Sequence, residues 1–302
     1  MLKSLKLNFT VFNRGYLYTF MKLGFKQILI ISRPRFWMYV MGTFLVGMIA
    51  SGNPFGYETK TVIILIVLGI FFSLPANLFI YGVNDIFDYE TDRHNDKKSN
   101  YEALLVPEQH KLLWKKIGWF TLPFLPLMFL LNIYCLGAMA IFLFTGYFYS
   151  ARPIRAKSKP PLDIIFSSII YVSPAVIGYL ATGNLNLGWM PIVGGLIWAS
   201  AMQTYSAVPD IEADKKAGVK TLATQMGERG ALLFCLFAFL ISAIIGYYYV
   251  GFLALVFGFI YAILVTLSII KSNQVFKYYT YFPLINTLSG AVLYFYLFIG
   301  LF

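Results

Sequence analysis

Residues 61–92 read TVIILIVLGIFFSLPANLFIYGVNDIFDYETD, an apolar run that leads directly into a cluster of acidic residues. A helix of about 20 predominantly apolar residues crosses the hydrocarbon core of a bilayer, and residues 61–84 meet that requirement. The run therefore predicts a transmembrane helix with Asp85, Asp88 and Asp92 at its end.

The composition of the whole chain indicates a membrane protein. Of its 302 residues, 59% are hydrophobic and 12% are charged, and the mean hydropathy is +0.71. Soluble domains carry about 25% charged residues, so a soluble enzyme and a disordered chain are excluded. A disulfide scaffold is also excluded, because the two cysteines, Cys135 and Cys235, sit inside apolar runs and are expected to pack as small hydrophobic residues.

The apolar runs predict an all-α, polytopic membrane bundle of about nine transmembrane helices around a central cavity. Polar, Gly-rich and Pro-rich breaks separate the runs. Residues 28–302 are predicted to form this single nine-helix domain, and residues 1–27 an interfacial or disordered N-terminal segment. The nine predicted spans cover residues 28–51, 61–84, 112–131, 134–150, 163–182, 188–208, 230–249, 252–270 and 280–301.

The distribution of charge predicts the orientation of these spans. With nine spans, 23 of the 24 Lys and Arg residues fall on the same side as the N-terminus, and only Lys60 falls opposite. Basic loops face the cytoplasm, so we expect a multi-pass protein of the cell (plasma) membrane with a cytoplasmic N-terminus. The net charge of +11 is explained by this topology, and nucleic acid is not expected as a partner.

Two clusters of carboxylates lie on the same predicted cytoplasmic side. If the helix of the second span continues, Asp85, Asp88 and Asp92 fall within an arc of about 60° on one face. Asn84 adds an amide oxygen just before them. Hard oxygen ligands suit Mg²⁺, which commonly binds one or two carboxylates and completes its shell with water and phosphate oxygens.

The second cluster is DIEAD, residues 210–214, at the end of the sixth span. Asp210 and Asp214 are spaced i, i+4 and share one helical face. Pro209 is expected to loosen the helix just before them. Lys and Arg residues flank both clusters, and together the carboxylates and the cations predict a diphosphate site at the cytoplasmic mouth, between spans two and six.

These motifs resemble the UbiA superfamily of intramembrane prenyltransferases. The first motif of that family, NDxxDxxxD, is matched by Asn84, Asp85, Asp88 and Asp92, and the second, DxxxD, by Asp210 and Asp214. The resemblance runs from SRPRFW at residues 32–37 through the loop after the sixth span. It implies these six residues as the catalytic set, with Mg²⁺ as cofactor on Asn84, Asp88, Asp92, Asp210 and Asp214.

The resemblance also implies the two substrates. An allylic prenyl diphosphate is expected as donor, and a lipophilic acceptor is expected to enter from the membrane lipid. The residues expected to bind the donor diphosphate are Arg35, Lys98, Tyr149, Arg152, Arg155 and Lys215. Arg and Lys would neutralise the leaving group, and a cavity walled by helices would shield the allyl cation from water.

The loop sequences most resemble the lycopene elongase branch of the family. They are DRHNDKKSN at residues 92–100, YSARPIRAK at 149–157 and SAVPDIEADKKAG at 206–218. Because the predicted spans hold no charge deep inside them, an apolar acceptor such as lycopene is expected. Three alternatives stay open: a prenyltransferase of aromatic quinone precursors, a cation-coupled transporter and a structural membrane protein.

Overall fold

The computed structural model describes residues 23–52, 56–89 and 105–301, and within these ranges helices are the only regular secondary structure. The predicted all-α class is confirmed. The α-helices of the described ranges are α1 (Phe25–Ile31), α2 (Met41–Ala50), α3 (Thr59–Phe72), α4 (Leu74–Phe87), α5 (Pro107–Thr121), α6 (Ile133–Phe148), α7 (Leu162–Ala181), α8 (Trp189–Ala207), α9 (Ile211–Lys216), α10 (Leu222–Val250), α11 (Phe252–Ile270) and α12 (Val275–Ile299).

Each of the nine predicted spans coincides with helical structure, although not always with one regular helix. Among the described residues, five segments are long and apolar enough to cross a membrane: Thr59–Phe87, Leu162–Ala181, Leu222–Val250, Phe252–Ile270 and Ser272–Ile299. The other four predicted spans fall on the short helices α2 and α6, on the irregular end of α5, and on the more polar α8. The count of nine spans therefore stays a prediction.

The irregularities have local causes in the sequence. Ser73 separates α3 from α4, because its backbone leaves the helical region and Pro75 follows in the first turn of α4. After α5 the chain tightens into a 3₁₀ helix, Leu122–Leu130, which contains Pro126. Within α10 the positive φ of Gly227, 69°, produces a kink near the start of the helix.

Packing among the helices builds a bundle around α7. Helix α7 lies against α2 on one side and against α6 and α8 on others, and α8 packs in turn along α10, which packs along α11. Helix α12 crosses α2. The outside of the bundle is strongly apolar: Phe129, Trp119 and Tyr248 are 91%, 77% and 77% exposed. Such an exterior suits lipid, and the chain is a multi-pass membrane protein.

Some predicted features lie outside the described ranges. Most of the predicted N-terminal segment does, since the description begins at residue 23, and so do Asp92 and Lys98. Cys135 and Cys235 are described, and both are buried and free, as their apolar surroundings predicted.

Candidate active site

A polar cavity of about 250 Å³ lies where α4, α6 and α8 end. Asn84 from the first motif and both Asp210 and Asp214 from the second line this cavity, together with Arg33 and Lys157. Asn84 and Asp210 are 126 positions apart in the sequence, and the bundle brings both motifs to the wall of one cavity. The prediction that spans two and six face a common cavity agrees with this arrangement.

Asn84 is held by the residues behind it. Its Nδ2 donates to Oδ2 of Asp88 at 2.6 Å and to Oγ of Ser150 at 3.0 Å. Because both amide hydrogens are used, the carbonyl oxygen is the group that Asn84 can present to a cation in the cavity.

Asp88 is fully buried and is surrounded by positive charge. Lys157 pairs with its Oδ2, and Nη2 of Arg155 lies 3.6 Å from its Oδ1. The loop after α6 delivers both cations, since the backbone N–H of Arg155 donates to Ala151 at 2.8 Å and that of Lys157 to Tyr149 at 2.9 Å. Arg155 takes a left-handed conformation there, with φ of 45°. Asp88 therefore anchors the basic loop at the cavity.

Asp85 points to a different partner from Asp88. Its Oδ1 accepts from Nη2 of Arg33 at 2.9 Å, and its side chain is 3% exposed. The expected single acidic face required the helix to continue, but α4 ends at Phe87 and Asp88 follows with φ of −109° and ψ of 3°. The described acids of the first motif are thus divided between Arg33 on one side and the basic loop on the other.

The second motif follows a break in the helix. Helix α8 ends at Ala207, a 3₁₀ turn covers Val208–Asp210, and α9 then begins at Ile211. The loosening predicted for Pro209 is confirmed. Asp210 and Asp214 lie on the same side of this segment and are half-buried in the cavity wall.

A buried carboxylate holds the loop that follows the second motif. Oδ2 of Asp163, near the start of α7, accepts from the backbone N–H of Leu222 at 2.6 Å. Leu222 is the first residue of α10, and a reciprocal cap between Thr221 and Thr224 stabilises the same turn. Val219 and Thr221, from this loop, line the cavity. Asp163 thus ties this wall of the cavity to α7.

The residues predicted to bind the diphosphate are distributed unevenly. Tyr149 lines the cavity, and its hydroxyl accepts from Nε2 of Gln203 at 3.0 Å. Arg155 contacts Asp88. Arg35 lies over the ring of Phe36 at 4.7 Å and is not among the described lining residues.

Two further predicted cations lie at the surface. Arg152 is exposed. Lys215 is 52% exposed and lies 3.4 Å from Oε1 of Glu212, which is itself 80% exposed. Neither cation is among the described residues of the cavity wall.

Aromatic side chains form the inner wall of the polar cavity. The ring of Phe36 stacks on that of Tyr39 with centroids 5.4 Å apart and lies 5.9 Å from Tyr81. Tyr171 meets Tyr39 edge-on at 5.9 Å. The electron-rich faces of such rings can stabilise a cation next to them.

An apolar cavity of about 540 Å³ lies on the other side of Tyr39. It extends between α2, α10, α11 and α12, and Tyr39 lines both cavities. Among its described lining residues there is no Asp, Glu, Lys, Arg or His. A lipophilic molecule can occupy it, whereas a carboxylate or phosphate would find no charged partner there.

The polar cavity offers the donor set that Mg²⁺ prefers. Asp210, Asp214 and Asn84 all line it, and the carboxylate and amide oxygens of these side chains are hard ligands. In the described ranges no three His, Cys, Asp or Glu side chains form a complete metal cluster.

The sequence of this bundle matches a known family model. Residues 39–283 match the model of the UbiA prenyltransferase family. The chain belongs to this family. It is accordingly a membrane prenyltransferase, as the two motifs predicted, and the enzyme class is confirmed over the transporter and structural-protein alternatives.

Relatives and solved structures of UbiA prenyltransferases agree with this assignment. A lycopene elongase/hydratase of Haloarcula japonica is 35% identical over 271 residues, which cover 88% of each chain. A UbiA homolog of Aeropyrum pernix K1 superposes with a TM-score of 0.69 at 17% identity, over 89% of this chain and 99% of that one. A UbiA homolog of Archaeoglobus fulgidus, solved with GPP and Mg²⁺, gives a TM-score of 0.65 at 20% identity, over 91% and 99%.

Two cations of the prenyltransferase cavity were missing from the predicted site. Arg33 lies between α1 and α2, inside the predicted span 28–51, and only the SRPRFW segment pointed to its surroundings. Lys157 was recognised only as part of the basic tract after the fourth span. Lys157 reaches the cavity because the loop after α6 folds back, so that the backbone N–H of Lys157 bonds to the carbonyl of Tyr149 at the end of α6.

Proposed function

We propose that this prenyltransferase moves an allylic prenyl group from a magnesium-bound diphosphate to a linear carotenoid such as lycopene. One observation carries the proposal: a polar cavity lined by carboxylates and cations adjoins an apolar cavity whose described lining has no Asp, Glu, Lys, Arg or His. The names of the relatives support the same acceptor, since the protein of Haloarcula japonica is a lycopene elongase/hydratase.

The donor diphosphate would lie in the polar cavity. Asn84, Asp210 and Asp214 would hold Mg²⁺ there, and the ion, when bound, supplies positive charge to the diphosphate oxygens. Two further residues of the predicted metal-binding set belong to the first motif. In this proposal Asp92 completes the set, whereas Asp88, which pairs with Lys157 and Arg155, holds the basic loop instead of the ion. Arg33 and Lys157 neutralise the charge that develops on the diphosphate as its bond to the allylic carbon breaks.

The reaction is an electrophilic addition to an alkene. The electron pair of the breaking carbon–oxygen bond stays with the diphosphate, and the allyl cation meets the aromatic wall of Phe36, Tyr39, Tyr81 and Tyr171. The terminal double bond of the acceptor then supplies the electrons of the new carbon–carbon bond. The cation left on the acceptor is discharged by loss of a proton or by addition of water, and product analysis distinguishes these two outcomes.

An apolar acceptor fits the wall of the second cavity better than an aromatic acid. A hydroxybenzoate-type acceptor carries a carboxylate, and burying that charge without a partner is costly. The described wall offers hydroxyls and one amide but no cation. A carotenoid can instead enter sideways from the bilayer and lie along the apolar helices. In the same proposal the polar cavity faces the cytoplasm and the membrane is the plasma membrane.

The test is product analysis with a matched pair of variants. Membranes that contain the protein are incubated with Mg²⁺, an allylic diphosphate, and lycopene or a hydroxybenzoate, and products are identified by mass spectrometry. We expect a carotenoid extended by an isoprene unit from the wild type. Asp210→Asn should abolish it, whereas Glu212→Gln, which alters an exposed acid two positions away, should retain it.

Other products would contradict parts of the proposal. If the product were a prenylated hydroxybenzoate and no carotenoid product formed, the proposed acceptor would be wrong, whereas the proposed transfer of a prenyl group would stand. Carotenoid extension that Asp210→Asn leaves intact would overturn the assignment of the metal-binding carboxylates.

A further inference from the structure

Three buried polar side chains form a chain of hydrogen bonds at the boundary between the two cavities. The hydroxyl of Tyr261 donates to Oδ1 of Asn286 at 2.6 Å, and Nδ2 of Asn286 donates to the hydroxyl of Tyr39 at 3.0 Å. The three residues are 3%, 7% and 9% exposed, respectively. They come from α11, from α12 and from the 3₁₀ segment Pro34–Tyr39, so the chain joins three separate elements of the bundle.

The position of this chain distinguishes it from ordinary packing. Asn286 and Tyr261 line the apolar cavity, and Tyr39 lines both cavities. The Tyr39 ring is held from the polar side by Phe36 and Tyr171, and its hydroxyl is held from the apolar side by Asn286. Tyr39 therefore stands between the polar cavity and the apolar cavity.

The proposed acceptor gives these polar atoms nothing to recognise. A linear hydrocarbon has no hydrogen-bonding group, so the amide of Asn286 does not serve to bind it. In an apolar environment no water competes for the two hydrogen bonds, and they fix the Tyr39 phenol more firmly than packing alone. Their effect is therefore on the placement of Tyr39.

We infer that Asn286 is a positioning residue that holds Tyr39 so that the allyl cation reacts with the acceptor alkene and not with water. This inference rests on the proposed function. Productive transfer requires reacting atoms to be held close together while water is kept out. A Tyr39 ring released from Asn286 opens space for water at the boundary of the two cavities.

The competing reaction has a defined product. When water meets the allyl cation, a bond forms between the water oxygen and the allylic carbon, and a proton of that water passes to the released diphosphate or to solvent. The products are a prenyl alcohol and free diphosphate. The ratio of prenyl alcohol to prenylated carotenoid therefore reports how well the boundary is closed.

The experiment measures that ratio for the full-length protein in membranes with Mg²⁺, dimethylallyl diphosphate and lycopene. Asn286→Leu removes both hydrogen bonds at similar volume, and Tyr39→Phe removes one hydroxyl while it keeps the ring. We expect both variants to raise the ratio of prenyl alcohol to prenylated carotenoid about fivefold. A change of that size corresponds to the loss of roughly one net hydrogen bond from the difference between the barriers to hydrolysis and to transfer. Release of diphosphate should continue in both.

The matched control breaks a comparable bond away from the cavities. The hydroxyls of Tyr205 and Ser268 lie 2.8 Å apart and buried between α8 and α11, and neither residue is among the described lining residues of the two cavities. Tyr205→Phe should leave the ratio at the wild-type value. If Asn286→Leu does not accumulate, Tyr39→Phe carries the test, because its ring packing is unchanged.

Two results separate this inference from the proposed function. Variants that lose transfer and hydrolysis in equal proportion, or that match Tyr205→Phe, would overturn the role of Asn286 while the wild type still makes the extended carotenoid. A wild type that makes no extended carotenoid would instead contradict the proposed acceptor.

Discussion

Arg33 donates from Nη2 to Oδ1 of Asp85 at 2.9 Å while its guanidinium lies 4.6 Å above the ring of Tyr81. Arg33 lines the polar cavity, whereas Asp85 is 3% exposed behind it. The backbone of Arg33 is left-handed, with φ of 52°, a conformation that costs about 1 kcal/mol or more for a residue with a side chain. The acid therefore holds a strained arginine in the cavity wall.

The ion pair of Arg33 and Asp85 predicts that two substitutions of Asp85 lower activity to different extents. Asp85→Ala should lower kcat/KM for the diphosphate donor about tenfold to hundredfold, because a hydrogen bond to a charged group contributes about 1.5 to 3 kcal/mol. Asp85→Asn keeps an acceptor for Arg33 and should lose less. Initial rates at varied donor concentration measure both. An Asp85→Asn enzyme as inactive as Asp210→Asn would show instead that Asp85 binds the metal.

The sequence predicted the helices and the acidic residues of this site better than the contacts between them. Each apolar run coincides with helical structure in the described ranges, and the spacing of Asp210 and Asp214 predicted that both face one side, as both line the polar cavity. The common face of Asp85 and Asp88 depended on a helix that ends at Phe87. The partners of these two acids, Arg33 and the basic loop, are far away in sequence, so the local spacing could not show them.

Lys157 is predicted to act on the donor as well as on Asp88. Asp88 is fully buried, so Lys157→Ala leaves its charge with weaker compensation and should destabilise the protein by about 3 to 5 kcal/mol. The double variant Lys157→Ala/Asp88→Asn removes that buried charge. We expect it to regain thermal stability in detergent but not the rate of diphosphate release, and Asp88→Asn alone shows how much of the lost rate is due to Asp88 itself.

The control for Lys157 is Lys159, on the same loop. Its Nζ donates to the backbone oxygen of Pro153 at 3.3 Å and it is exposed, so Lys159→Ala should behave as the wild type. If the double variant regained activity together with stability, Lys157 would serve only to neutralise Asp88.

Removal of divalent ions is expected to stop both transfer and diphosphate release. Addition of a chelator to the membranes tests this, and titration with Mg²⁺ should restore the rate. Asp214→Asn replaces one carboxylate of the proposed metal-binding set, so the concentration of Mg²⁺ at half-maximal rate should rise roughly tenfold or more. Glu212→Gln is the control. Turnover that persists in the chelator would contradict a divalent ion in the reaction.

The bundle depends on a close approach of α2 to α7 at two glycines. A Cβ added at Gly47 would overlap the backbone carbonyl of Ala175, and one added at Gly178 would overlap that of Phe44. Backbone atoms cannot move aside as a flexible side chain can. Small residues are the usual means by which membrane helices come this close.

Gly178→Ala is therefore predicted to lower stability although alanine favours a helix. The intrinsic gain of alanine over glycine is about 1 kcal/mol, whereas overpacking costs about 1 to 3 kcal/mol and rises further when only backbone can yield. Gly137 on α6 has nothing within 4 Å of an added Cβ, so Gly137→Ala should be neutral or stabilising. Thermal unfolding of the three proteins in detergent measures the difference. A Gly178→Ala protein as stable as Gly137→Ala would mean that α2 and α7 can separate without cost, and the wall that α2 contributes to the apolar cavity would then not be rigid.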